Sequence, residues 1–155
     1  MTQDAPVPGR GALVRPQWVT RSLIRAAPRV LWAFGDNVAR CGFGGQARHA
    51  RGEANALGVP TKWRPGALEA DYFTDADWHN PQVGAVIDMA FFIMESALAR
   101  GHHVAIPLDG LGTGLAELPR RAPLIHARIE ALIEALGPAS FSDPSRFGTE
   151  SAGGT

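Results

Sequence analysis

The chain has one cysteine, no formal net charge and no uninterrupted apolar run of membrane-spanning length. Each shortage removes a class of protein. A lone Cys41 cannot close an intramolecular disulfide, so a fold without cross-links in a reducing compartment is expected. Fifteen Lys and Arg offset fifteen Asp and Glu. A sequence-independent nucleic-acid binder needs a cationic surface to displace counterions, so that function is not expected. No stretch approaches the roughly 18 apolar residues of a membrane span, and residues 1–11 hold no apolar signal-peptide core; the expected location is the cytoplasm. The five histidines make no metal site: His102 and His103 are adjacent, so their side chains diverge on a strand, and no Cys or carboxylate falls at a ligand spacing. No internal repeat is visible. None of these shortages bars a nucleotide ligand, because backbone amides and helix N-termini bind phosphate without any lysine.

What the chain has in plenty is glycine and proline, 18 and 12 of its 155 residues. They gather at the N-terminus, over residues 35–66, over 108–119 and in the last twenty residues. The length suits one domain. A flexible N-terminus over residues 1–12, one domain over 13–137 and a disordered Ser/Gly/Pro/Thr-rich tail over 138–155 are expected.

Within that domain a short helix is predicted over residues 18–27, ended by Pro28. Val30-Leu31-Trp32-Ala33-Phe34 is a continuous apolar run of the buried-strand kind, stopped by Gly35. A helix is predicted to open at Gln46 and run to Arg51. Residues 58–62 read as extended, with Pro60 at an edge or strand end. Residues 63–77, irregular and acidic, read as a surface loop or lid. Asn80-Pro81 is a helix start, an Asn cap followed by Pro in the first turn, and helical spacing carries on to Gly101. His103-Val104-Ala105-Ile106-Pro107 reads as a second buried strand, followed by a loop over 108–118 and a last helix that Gly137 closes. Both glycine clusters therefore follow buried strands at their C-terminal ends, the edge where open parallel sheets bind ligands.

The first cluster is Gly35-Asp36-Asn37 with Gly42-Phe43-Gly44-Gly45-Gln46. Glycines there permit unusual torsions and let a phosphate approach the amides, and a helix starting at Gln46 would add its dipole; a plain turn accounts for the same residues. The second is Asp109-Gly110-Leu111-Gly112-Thr113-Gly114. Three alternating glycines between strand and helix exceed what a tight connection needs. It is not a P-loop, since no Gly-Lys-Ser/Thr follows, and neither loop gives the dinucleotide fingerprint.

The segment from His103 to Pro119, an apolar strand with a proline, then Gly-Thr-Gly and an amphipathic helix, resembles the end of a macro domain. Residues 30–47 resemble the other macro signature, a strand ending in an asparagine and a Gly-Gly loop that opens a helix. A closer likeness is to small phage and bacterial proteins with Gly-Asp-Asn, Gly-Gly-Gln-Ala and Pro-Thr-Lys motifs, and it covers residues 13–137. The resemblance implies a three-layer α/β fold with a mixed, largely parallel sheet flanked by helices. It implies an ADP-ribose-like nucleotide as ligand, an ADP-ribosylated macromolecule as a partner, and no separate cofactor. Asn37 matches the asparagine at the distal ribose, Gly44 and Gly45 the loop beside it, Gly112, Thr113 and Gly114 the diphosphate loop, and Leu115 the residue covering that loop. The Gly-Asp-Ile/Val segment whose aspartate holds adenine has no match over residues 14–29.

Asn37, Asp36 and Asp109 are the candidate catalytic residues of an ADP-ribosyl hydrolase. A carboxylate in a cleft activates water or binds ribose hydroxyls; an aspartate before glycine equally accepts amides of its own turn. Gly35, Gly42, Gly110, Leu111 and Gln46 complete the candidate ligand-binding set with Lys62, which could neutralise a phosphate. Trp63, Tyr72 or Phe73 could stack on a base or anchor the lid. Cys41 reads as a bystander. A nucleotide-binding module without turnover, and an interaction domain whose glycine loops merely connect elements, are the alternatives to the enzyme.

Overall fold

The computed structural model describes residues 9–141; the expectations for residues 1–8 and 142–155 lie outside them. Five strands form one sheet in the order β3-β2-β4-β1-β5. They are β1 (Leu13–Val14), β2 (Leu31–Asp36), β3 (Ala56–Pro60), β4 (Val104–Ala105) and β5 (Ala139–Phe141). The helices are α1 (Arg21–Ala26), α2 (Ala47–Ala50), α3 (Pro81–Ala99), α4 (Leu118–Arg121) and α5 (Pro123–Ala135), with 3₁₀ turns at Glu69–Asp71 and Asp75–His79. The fold is α/β. Every pairing in the sheet is parallel, which corrects the expected mixed sheet. Each strand is reached through a crossover containing a helix, as parallel neighbours require.

Local sequence sets the boundaries. Thr20 accepts a hydrogen bond from the Leu23 amide and so caps α1, which starts later than its apolar spacing suggests. Asn80 Oδ1 accepts from the Gln82 amide at 2.9 Å, and Pro81 opens α3. Pro60 is the last residue of β3, an edge strand where its missing amide hydrogen costs nothing.

Alternate strand residues feed two cores. Trp32, Phe34, Val14 and Ala105 pack with Ile24 of α1 and with Ala47 and Ala50 of α2. Ala33, Leu13, Val104 and Val59 pack with Ile87, Phe91 and Met94 of α3 and with Ile125 and Ile129 of α5. Helices therefore cover both faces, and the inner strands β1 and β4, with the body of β2, are apolar because neither of their faces meets water. The expectation that no stretch approaches spanning length does not hold by that measure: among the described residues α3 is long and apolar enough, by length and composition alone, to cross a membrane. Its inward stripe is buried against the sheet, as in a core helix, while Met89 and Phe92 are exposed on its outer side.

Both ends of the domain extend beyond the expected limits. Ala139–Phe141, assigned by composition to a tail, pairs with β1 as a fifth strand. Ala-Ser-Phe is too short and too weakly apolar to show a strand pattern; it forms because β1 would otherwise be an open edge. Near the other terminus the Gly11 amide donates to the Leu98 carbonyl at 2.8 Å, and Arg10 pairs with Glu95 at 2.6 Å. Residues 10 and 11 are thereby tied to the end of α3.

Candidate functional site

The strand order creates a crevice. β2 and β4 are neighbours in the sheet, yet the chain leaves β2 towards α2 on one face and leaves β4 towards α4 and α5 on the other. Adjacent strands whose connections depart to opposite faces define a switch point, where ligands of open α/β sheets bind. A cavity of about 590 Å³ lies there, within the usual range of roughly 300–1,000 Å³ for ligand pockets. Its walls are the end of β2 (Gly35, Asp36) with the loop after it (Asn37, Gly42, Gly44, Gly45, Gln46), the loop after β4 (Asp109, Gly112, Thr113, Gly114, Leu115), and Lys62 with Tyr72 on the lid side. Nearly every candidate residue is gathered in this one place. The exceptions are Gly110 and Leu111: Leu111 is fully buried in the core, and Gly110 is buried beside it.

The loop after β4 leaves its donors uncommitted. None of the backbone amides of Leu111, Gly112, Thr113, Gly114, Leu115 and Ala116 donates to an acceptor within the described residues. The loop is held from its other groups: the Leu118 amide donates to Gly112 O at 2.9 Å, the Glu117 amide to Gly114 O at 3.0 Å, and Thr113 Oγ1 to Asp109 O at 2.9 Å. A run of free amides in a loop of alternating torsions is an anion-binding concavity. Its glycines differ in purpose. Gly112 has φ +78°, and a β-carbon there would come within 2.8 Å of Thr61 Cβ, so the protein's own packing imposes that glycine. Gly114 has neither constraint: its φ lies outside the left-handed region and an added β-carbon meets nothing within 4 Å. The Asp109 side chain is exposed at the cavity and makes no hydrogen bond or ion pair within the described residues.

The loop after β2 is tied down by its side chains, while its own backbone amides from Gly42 to Ala47 likewise donate to no acceptor among the described residues. The Asp36 side chain is only 2% exposed; it pairs with Arg51 and, at 3.2 Å, with Arg40, and it accepts the Asn37 amide at 2.8 Å. Gly58 on the neighbouring strand makes room, since a β-carbon there would run into the Asp36 carboxylate. Asn37 Nδ2 donates to Cys41 O at 2.8 Å, closing its own turn. Arg51 Nε donates to Gly42 O at 2.6 Å, so one guanidinium holds both ends of the loop. Gln46 neither points at solvent nor waits for a ligand: its Oε1 accepts the Gly35 amide at 2.6 Å and its Nε2 donates to Gly110 O at 3.0 Å. It fastens the end of β2 to the other glycine loop.

The helix expected to run from Gln46 to Arg51 is the four-residue α2, and α4 after the second loop is equally short. Neither supplies a useful dipole, so the amides themselves must carry anion binding. Across the cavity mouth the two loops touch. A β-carbon at Gly44 would lie 3.1 Å from Leu115 Cδ1, which places Leu115 against the first loop. Arg40 and Glu117, the described non-glycine residues with left-handed φ (56° and 48°), each sit in one of these loops. Backbone strain of this kind concentrates at ligand sites.

The lid side is firmly anchored. Trp63 packs edge-on to the buried Phe73 with ring centroids 5.2 Å apart, so both are anchors rather than base-stacking surfaces. Lys62 is 9% exposed, bridges to Tyr72 through the backbone, and donates from Nζ to Gly66 O at 2.7 Å. Its Nζ lies 4.2 Å from the Tyr72 ring centre, and the Arg121 guanidinium lies 3.6 Å from the same ring. Burial holds the Lys62 ammonium below its ordinary pKa; Asp71 pulls it up, Arg121 pushes it down again, and Glu117 raises it.

Arg51, Thr61, Tyr72 and Cys41 also line the cavity, and Arg121 stands behind Tyr72. The residue patterns did not single out Arg51 or Arg121, because their roles depend on which elements meet. The chain matches the model of a "Family of unknown function (DUF7831)" over residues 14–132, and it belongs to that family. No curated protein and no solved structure matches it.

Proposed function

We propose that this protein binds the phosphates and adjoining ribose of an ADP-ribose-like, NAD-derived nucleotide in the cavity between the loops after β2 and β4. The observation that carries the reading is the row of uncommitted amides from Leu111 to Ala116. Unsatisfied donors next to a cavity of nucleotide size favour an anion, and the unconstrained Gly114 leaves room for its approach. The choice of ADP-ribose among nucleotides rests on the resemblance to macro domains, and the base is left unassigned.

Hydrolysis is the second reading, and the side chains narrow it. Asp36 is neutralised by two arginines and Asn37 is occupied by its own turn, so neither is free to activate water without rearranging the first loop. Asp109 alone of the three candidates offers an unpartnered carboxylate at the cavity. Binding without turnover is therefore the function proposed first, and any hydrolysis rests on Asp109. Calorimetry with ADP-ribose, NAD and ADP tests binding; no heat with any of them at millimolar ligand removes the proposal. Incubation with mono-ADP-ribosylated protein, read by mass spectrometry for released ADP-ribose, tests hydrolysis. Release by the wild type that Asp109→Asn abolishes, with affinity intact, establishes the catalytic version.

A further inference from the structure

The cations of this chain are unevenly chosen. Of its 15 basic residues, 14 are arginines and one is a lysine, Lys62. That single lysine is nine-tenths buried and lines the cavity. The two residues differ physically: guanidinium is a planar fork suited to fixed carboxylate pairs, whereas ammonium is a compact point charge. The arginines behave accordingly, with Arg10, Arg21, Arg51, Arg121 and Arg128 each paired to a carboxylate of the protein.

Lys62 has no such pair. Among the described residues the ammonium's one hydrogen bond is to the Gly66 carbonyl, and no carboxylate oxygen lies within 4.0 Å of Nζ. The acids nearby are committed elsewhere. Asp71 accepts from the Leu68 amide at 3.0 Å and from Arg64 at 3.3 Å, and Glu117 is held by Arg120 and Arg121. Two of the three ammonium protons thus have no acceptor among the described residues. A buried cation is costly unless it is paired, and the face of Tyr72 compensates only in part.

We infer that Lys62 forms a second anion subsite on the lid side of the cavity, separate from the amide row after β4, and that the ligand places a phosphate or carboxylate oxygen on its Nζ. This rests on the cavity being the ligand site. The amide row supplies partial charges only, and Lys62 supplies the full positive charge opposite. A neutral sugar or a free nucleobase would leave it uncompensated. The ligand class is therefore one with either two anionic groups or a polyphosphate long enough to reach both walls.

Inorganic pyrophosphate is the probe, titrated by calorimetry into the wild type, Lys62→Met and Gly114→Ala. Because the chain has one lysine, reductive ¹³C-methylation gives one side-chain NMR reporter beside the N-terminal amine. Lys62→Met is expected to weaken pyrophosphate binding by about tenfold or more, the lower end of what a hydrogen bond to a charged group is worth. Its melting temperature should stay unchanged or rise, because a merely structural lysine would lower it on removal. In the wild type the methyl resonance should move saturably with pyrophosphate and its titration midpoint should shift to higher pH. Unchanged affinity in Lys62→Met, or a resonance that pyrophosphate leaves in place while heat is released, overturns the subsite and leaves the amide row standing. Loss in Lys62→Met with full affinity in Gly114→Ala keeps the subsite and removes the amide row. No heat and no resonance shift in the wild type removes both.

Discussion

Gly114→Ala separates a glycine kept for a ligand from one kept for the fold. Its φ lies outside the left-handed region and its β-carbon would stand in open space, so folding meets neither strain nor clash. Restricting the unfolded chain should then stabilise the protein by about 0.4–1 kcal/mol, a rise of about 1–4 °C in Tm for a domain of this size. Ligand binding should move the other way. A methyl group beside the Gly114 and Leu115 amides holds a phosphate oxygen beyond hydrogen-bond reach, and each such bond to a charged group is worth about 1.5–3 kcal/mol. The dissociation constant for ADP-ribose should rise by about tenfold to a hundredfold. Gly112→Ala cannot make this distinction: at φ +78° and 2.8 Å from Thr61 Cβ, its damage falls on the fold first. Thermal melting and calorimetry on the same Gly114→Ala sample give both numbers. A variant with raised Tm and wild-type affinity would refute the assignment of this loop to phosphate.

Asp36→Asn should cost about 1.5–3 kcal/mol, because the half-buried Arg51 loses the carboxylate it pairs with; urea denaturation measures it, and a loss under 1 kcal/mol would return Asp36 to the list of free carboxylates. Gln46→Glu sets a carboxylate oxygen against the Gly110 carbonyl, where Nε2 now donates at 3.0 Å. It should destabilise at neutral pH by about 1–3 kcal/mol, and recover on acidification as the protonated carboxyl regains a donor; a Tm deficit independent of pH would contradict the bridge. Lys62 is depressed in the fold, so the unfolded chain binds more protons, and stability contributed at this site should increase as pH rises towards the ordinary value of 10.5. The wild type should therefore gain on Lys62→Met over that interval, and parallel stability curves would show no such linkage. Glu53 and Glu95 are held below the ordinary carboxyl value of 4.5 by arginine hydrogen bonds. Their contribution is present above pH 4.5 and disappears as pH falls through their lowered values; added salt should shrink this acid-sensitive part in denaturant melts.

Much of the fold was legible because its longer elements carry strong local patterns. The apolar run before Gly35 and the Asn80-Pro81 cap state their structures without help from the rest of the chain. β5 did not, because Ala-Ser-Phe becomes a strand only where β1 offers it an open edge. Strand order was equally hidden: nothing in β1 or β4, two residues each, says that β4 inserts between β1 and β2. The cavity followed a similar division. Glycine spacing located both loops, yet it could not say that Gln46 would be consumed in joining them or that Arg51 would neutralise Asp36. Those roles arise from side chains far along the chain meeting at one sheet edge. The lone lysine was countable from the start, and its weight came only with its burial.

The two loops share a run of uncommitted amides, residues 42–47 and 111–116, and differ in what their side chains do. The loop after β2 spends its polar side chains on the scaffold: Asp36 on Arg51 and Arg40, Asn37 on Cys41, Gln46 on Gly35 and Gly110. Such a side-chain network resists deformation. The loop after β4 instead hangs from Gln46 and from the carbonyls of Gly112 and Gly114, while its amides are uncommitted. On the proposed reading, a wall braced by side chains facing a second row of free amides is preorganised for an anion, since little must be ordered when one arrives. If the proposed hydrolysis occurs, the same bonding assigns it to Asp109: the Asp36 carboxylate is held by Arg51 and Arg40, whereas Asp109, at the start of the second loop, has no partner among the described residues.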